Sequence, residues 1–215
     1  MSYIGVITGD IINSTEILRL GHREKLLDVL KNTVKEINSM SQHYDITIEI
    51  YRGDSFQIIV KYPNVALEVA LIIRSALIAN SKGGILWDAR IGIGIGAGEF
   101  LVDSIVESDG EAFHKSGQAF DSLDKNNRMA IYTPNDDFTN ELAVSTAFAD
   151  DIITNWTETQ AAVIYPSMLK SSTQKDLAEI IGKSPQAISK LLSTSRLSLI
   201  SNYEKRFRYK IETIL

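Results

Sequence analysis

From Ala89 to Gly98 the chain reads Ala-Arg-Ile-Gly-Ile-Gly-Ile-Gly-Ala-Gly. A repeat of two is the period of a β-strand, so one face of this strand is apolar and the other carries almost no side chains. Glycine weakens a strand. A run of it points to something pressed against the bare face: a helix, a ligand or a second subunit. The glycines lie inside the strand and do not lead it into a helix, which excludes a dinucleotide-binding loop.

The segments before and after fix the layout. An apolar run from Tyr3 reads as a buried strand, and Glu16 to about Met40 repeats Leu18, Leu26, Leu27, Leu30, Val34 and Ile37 at helical spacing. Two short strands, 46–52 and 56–60, meet through Gly53-Asp54 as a hairpin, and Pro63 opens a second helix over 65–79. After the glycine strand come an acidic turn at 107–109, a short helix over 110–120 with Leu123 completing its apolar stripe, and a strand over 128–132. The succession β-α-β-β-α-β, plus a helix and a strand, predicts an α+β fold: a ferredoxin-like sandwich, mostly antiparallel, with helices on one face. Beyond Glu141 strand signals vanish, and helices are expected over 142–156 and from Glu158 to Tyr165, before Pro166. The boundary falls within 134–157. It is placed to give an α/β domain over 1–136 and a helical connector with a small all-α domain over 137–215.

The chain has no cysteine, which excludes disulfides and thiolate metal sites, and its three histidines, His22, His43 and His114, show no ligand spacing. No apolar run approaches a membrane span, so no membrane insertion is expected and the cytoplasm is the expected compartment. Residues 1–156 hold 13 Lys and Arg against 22 Asp and Glu, a balance of −9, whereas residues 157–215 hold 9 against 5, a balance of +4. An acidic body with a basic tail leaves only the tail suited to nucleic acid.

Two carboxylates stand at expected strand ends. Asp10 closes the first strand, and Asn13, Ser14 and Thr15 follow it, any of which can cap the next helix. Asp54 sits at the hairpin tip. Together they form a candidate two-carboxylate site for a divalent cation such as Mg²⁺, with phosphate oxygens of a nucleotide on the helix N-terminus. Ile11, Asn13, Ser14, Thr15 and Gly53 are the candidate nucleotide contacts. The competing reading makes Asp10 a helix cap and Asp54 a turn former.

The segment 173–192 carries a second pattern. Thr173 caps a helix with Asp176 in a near capping box, Leu177, Ala178 and Ile181 form its apolar face, and Gly182 closes it. Ser184 caps the next helix, Pro185 takes its first turn, and Ile188, Leu191 and Leu192 face inward. Such a helix-turn-helix offers the start of its second helix to the major groove of double-stranded DNA. Ser184, Gln186, Ala187 and Lys190 are the candidate DNA contacts, flanked by Lys183 and Arg196. A dimerisation hairpin is the alternative. Residues 203–210 interleave aromatics with cations, suited either to the DNA backbone or to docking on the main domain.

The motifs Gly9-Asp10-Ile11-Ile12-Asn13-Ser14-Thr15, Arg52-Gly53-Asp54-Ser55-Phe56, Ala89-Arg90-Ile91-Gly92-Ile93-Gly94 and Gly110-Glu111-Ala112-Phe113-His114 resemble the core of class III nucleotidyl cyclases. With the tail beginning at Trp156-Thr157 and the helix-turn-helix, the chain resembles the SatD family, which joins a cyclase-like domain to a DNA-binding tail. The resemblance implies two metal-binding aspartates at Asp10 and Asp54. It also implies an asparagine and an arginine that act across a dimer interface; His114 and Gln118 stand at those places, and Ile50 replaces the base-reading lysine. Losing the arginine removes a fixed charge from the transition state. The expectation is a homodimeric, DNA-binding, transcription-regulatory protein whose cyclase-like domain is degenerate and senses a nucleotide with Mg²⁺. The alternatives are an active cyclase or related phosphoryl-transfer enzyme, with His114 and Gln118 in rewired roles, and a structural adaptor.

Overall fold

A computed structural model describes residues 2–51, 54–99, 109–169 and 172–215. Gly53 and the first two residues of the turn expected at 107–109 lie outside the described residues. The elements run β1 (Ser2–Ile11), α1 (Ser14–Arg19), α2 (Arg23–Met40), β2 (Ile46–Tyr51), β3 (Ser55–Val60), α3 (Ala66–Ala79), β4 (Ala89–Glu99), β5 (Asp109–Gly110), α4 (Glu111–Asp121) and β6 (Met129–Tyr132). Five helix labels complete the chain: α5 (Asp136–Thr154), α6 (Glu158–Leu169), α7 (Gln174–Ile181), α8 (Pro185–Thr194) and α9 (Leu197–Ile214).

The sheet order β2-β3-β1-β4 is fully antiparallel, with β5 antiparallel and β6 parallel on β4. A β-α-β-β-α-β chain laid down in that order is the ferredoxin-like topology. Alternation along β1 and β4 sends Ile7, Ile91, Ile93 and Ile95 into one apolar core with α2 and α3.

The helices cover both faces, not one. On the bare face of β4 a Cβ at Gly94 would fall onto the Ala112 oxygen and Ser116 nitrogen of α4, and one at Gly96 would lie 2.8 Å from the Ala112 nitrogen. The glycines therefore admit a helix. Ala112 and Ser116, fully buried in α4, complete the contact, and Ser116 Oγ lies 2.9 Å from Thr8 Oγ1.

Three helix boundaries differ from the sequence pattern. Helix α5 starts at Asp136 and not at Leu142, because the Asn135 side chain accepts the Phe138 N–H and caps it there. The helix expected from Glu16 to Met40 breaks between α1 and α2, where Gly21 takes a left-handed φ of 73°. Helix α6 runs through Pro166 to Leu169, because burial of Ala161, Val163, Ile164 and Leu169 outweighs the lost main-chain bond. The segment 203–210 lies in α9 and docks on the body. Phe207 and Ile211 enter the core shared with Ile7, and Arg208 bonds to Glu68 of α3 at 2.7 Å.

In α7 and α8 the local signals act as read. Thr173 and Asp176 form a reciprocal capping box, Gly182 is left-handed with φ 70°, and the Ser184 side chain accepts the Ala187 N–H. Leu177, Ala178 and Ile188 pack with Val163 of α6.

Candidate functional site

The rim of the sheet where β1 ends brings the two predicted acids together. Asp10 pairs with Ser55 on β3 and with Arg90 on β4, and the next N–H, Ile11, donates to the main-chain oxygen of Asp54 at 3.0 Å. Their side chains turn into different hollows. Asp10 lines a cleft of about 430 Å³ with Ile11, Asn13, Arg90, Lys125 and Arg128. Asp54 lines a smaller hollow of about 110 Å³ with Ser14, Thr15 and Arg23. Ile11 borders both.

Each carboxylate is lightly held. Asp10 accepts from Ser55 Oγ at 3.3 Å and from the Arg90 guanidinium at 3.4 Å, both long bonds. Asp54 Oδ2 accepts from Ser14 Oγ at 2.9 Å. Among the described residues no group of three or more His, Asp or Glu could hold a metal ion. A magnesium ion needs less protein than that: one or two carboxylates, with water and phosphate oxygens filling its octahedron. Asp10 and Asp54 supply two carboxylates at the ends of neighbouring strands, which open into different hollows.

The capping residues are redirected. Asn13 is the N-cap of α1 in a left-handed conformation, φ 62°, but its amide donates to the Leu86 oxygen at 3.4 Å and makes no cap bond. Ser14 bonds Asp54 instead, and α1 is only six residues long. The cations at this rim are therefore side chains, Arg90 (set over the Phe120 ring at 5.3 Å), Lys125 and Arg128, interleaved with the carboxylates of Asp10 and Asp124. Sequence reading gave these three cations no role.

Beneath the cleft lies an ionic cluster that the sequence did not reveal. Arg74 of α3 is fully buried and bonds Asp88 at 2.7 and 2.9 Å and Asp150 of α5 at 2.5 Å. Asp88 also accepts from Arg128 at 2.9 Å, and its main-chain oxygen takes the Ile12 N–H at 2.9 Å. Asp150 accepts the N–H groups of Arg128 and Met129. Burial alone would raise the Asp88 pKa, but the Arg74 guanidinium outweighs it and holds the carboxyl below its ordinary range. The same two acids keep Arg74 protonated despite its burial. The cluster thus fixes one wall of the cleft through Ile12 and another through Arg128.

His114 and Gln118 lie on the exposed side of α4 and do not line the Asp10 cleft. His114 Nε2 stands 3.4 Å from Asp109, and Gln118 faces the adjoining groove beside β6. On α8 and its flanks, Lys183, Ser184, Gln186, Lys190 and Arg196 are exposed and Ala187 is half-buried.

The class defined here is a ferredoxin-like α/β sandwich with an acidic rim, a cationic cleft and a helical tail packed into its core. The chain belongs to the SatD family, whose model matches residues 3–208. No match is found among curated proteins. Solved structures with some likeness include the active GGEEF domain of a diguanylate cyclase from Vibrio cholerae, at 18% identity and TM-score 0.44 over 62% of this chain and 85% of that one. Another is an adenylate/guanylate cyclase/hydrolase from Silicibacter pomeroyi, at 15% identity and TM-score 0.46 over 66% of this chain and 80% of that one.

Proposed function

We propose that this protein is a DNA-binding transcription regulator whose N-terminal cyclase-like part is catalytically degenerate and senses a nucleotide with Mg²⁺. The observation that carries the reading is the free start of α8. Lys183, Ser184, Gln186 and Lys190 are exposed there, while Ile188 alone of that helix is fully buried. That presentation suits a recognition helix entering a major groove, Gln186 reading a base edge and Lys190 meeting phosphate. Two such helices on a palindrome require a homodimer. The region 137–215 carries this surface, and its helices α5 and α9 join it to the core of the region before it.

The sensing half of the reading rests on the rim. Asp10 and Asp54 would hold Mg²⁺, which neutralises charge on phosphate oxygens, while Arg90, Lys125 and Arg128 receive the remaining anionic charge. Degeneracy follows from His114 and Gln118 at the positions where the resemblance places an asparagine and an arginine. Fluorescence polarisation of DNA fragments from the protein's own locus, with and without nucleoside triphosphate and Mg²⁺, tests it. Saturable binding altered by nucleotide is expected; no binding to any fragment sinks the regulator.

A metal-dependent cyclase or phosphoryl-transfer enzyme is the second reading, favoured by three cations beside two carboxylates at one rim. Turnover of a nucleoside triphosphate with Mg²⁺ or Mn²⁺, abolished by Asp54→Ala, would select it.

A further inference from the structure

A groove of about 530 Å³ runs along the outer edge of β6 and adjoins the Asp10 cleft at Leu123 and Asn127. It is lined by the strand itself, by Lys115 and Gln118 of α4, and by Asn140, Ala143 and Ala147 of α5. Among the described residues β6 pairs with β4 alone, in parallel, with Met129 opposite Ile91 and Ile131 opposite Ile93. The Ile91 N–H donates to the Arg128 oxygen at 2.7 Å. That phase turns the polar groups of Ala130 toward β4 and those of Met129, Ile131 and Thr133 outward.

Two of the three outward donors are taken. The Met129 N–H goes to Asp150 at 3.1 Å and the Thr133 N–H to Thr139 Oγ1 at 2.9 Å. The Ile131 N–H and the Met129 and Ile131 oxygens have no hydrogen-bond partner among the described residues. Ile131 is only 3% exposed, and main-chain groups so placed are nearly always satisfied. With both flanking donors occupied, the open edge is too short for an added peptide strand. What remains is one donor, the Ile131 N–H, flanked by two acceptors, the Met129 and Ile131 oxygens, opening into a slot walled by the small side chains Ala143 and Ala147.

We propose that this groove binds a purine base, edge-on, through the Met129 C=O and the Ile131 N–H. Adenine offers an exocyclic N–H beside a ring nitrogen, and guanine a ring N–H beside a carbonyl; either pair complements the strand edge. Leu123 and Ala130 give the ring apolar contact, and Gln118, Asn127 and Asn140 provide amides for its remaining polar atoms. The site is independent of the cation proposed at Asp10 and Asp54, because it engages the base and neither phosphate nor metal.

The test is an amide-resolved NMR titration of the ¹⁵N-labelled full chain with adenosine and, separately, guanosine, with no divalent metal present. A saturable shift of the Ile131 amide with at least one nucleoside is expected. Ala143→Phe, at an exposed helix position, fills the slot and should abolish the shift, whereas Ala143→Ser should keep it. If Ala143→Phe does not fold, Ala147→Leu serves the same purpose. No saturable shift at Ile131 with either nucleoside, or a shift that survives filling the slot, overturns the proposal.

Discussion

Asp88 receives Arg74 on both carboxylate oxygens, at 2.9 Å from Nε and 2.7 Å from Nη2, and neither side chain reaches solvent. This pair sits under the cleft and ties α3 to the approach of β4, while Asp150 extends it to α5. Removing one partner of a buried pair leaves the other charge uncompensated, at a cost of about 3–5 kcal/mol.

Arg74→Met should therefore lower the thermal midpoint by roughly 10 °C, given about 2–4 °C per kcal/mol for a chain of this size. Differential scanning calorimetry measures it. A shift of a degree or two would mean that the cluster contributes little to stability.

The pH dependence has a definite sign. The folded Asp88 pKa lies below its ordinary value, so the stability from this carboxylate is complete above the unfolded pKa of about 3.9 and is lost as pH falls through the folded value. Denaturant unfolding followed between about pH 4 and pH 2 should show falling stability in the native protein and a shallower fall in Asp88→Asn. Equal slopes would remove Asp88 as a source.

Two glycines, one inside the β4–α4 contact and one on α4 outside it, should respond in opposite ways. A Cβ at Gly94 meets the backbone of α4, whereas one at Gly117, within α4, meets nothing within 4 Å. Gly94→Ala is expected to destabilise by about 3 kcal/mol, and Gly117→Ala to stabilise by about 0.5–1 kcal/mol. Chemical denaturation separates them.

Ferredoxin-like topology was legible because each element announced itself locally: period two in β4, period 3.6 in α2, a Gly-Asp hairpin between β2 and β3. The bare face of β4 left helix, ligand and subunit open, and only tertiary placement selected α4. Asp10 and Asp54 were readable as strand-end acids. The Arg74–Asp88–Asp150 cluster was not, because its members come from three elements with no shared spacing, and a charged residue inside α3 reads as surface. Arg90 and Arg128 were hidden likewise: a cation flanking a strand has no signature until its neighbours are placed. Ser14 illustrates the reverse case, a cap signal spent on Asp54 instead.

On the DNA side, Gln186→Ala should cost about 1–3 kcal/mol of affinity and relax base preference at one position. Lys190→Ala should weaken binding to all sequences alike and reduce the salt slope by about 1. Polarisation assays at several salt concentrations distinguish the two. Indifference to both substitutions would take α8 off the DNA.

Calorimetric titration of a nucleoside triphosphate into the protein, with and without Mg²⁺, addresses the rim most directly. The expected result is binding that requires Mg²⁺ and weakens by about thirtyfold or more, the loss of one charged contact, in both Asp10→Asn and Asp54→Asn. Binding that is absent, or that ignores both the cation and the two substitutions, would contradict a shared cation at the end of β1.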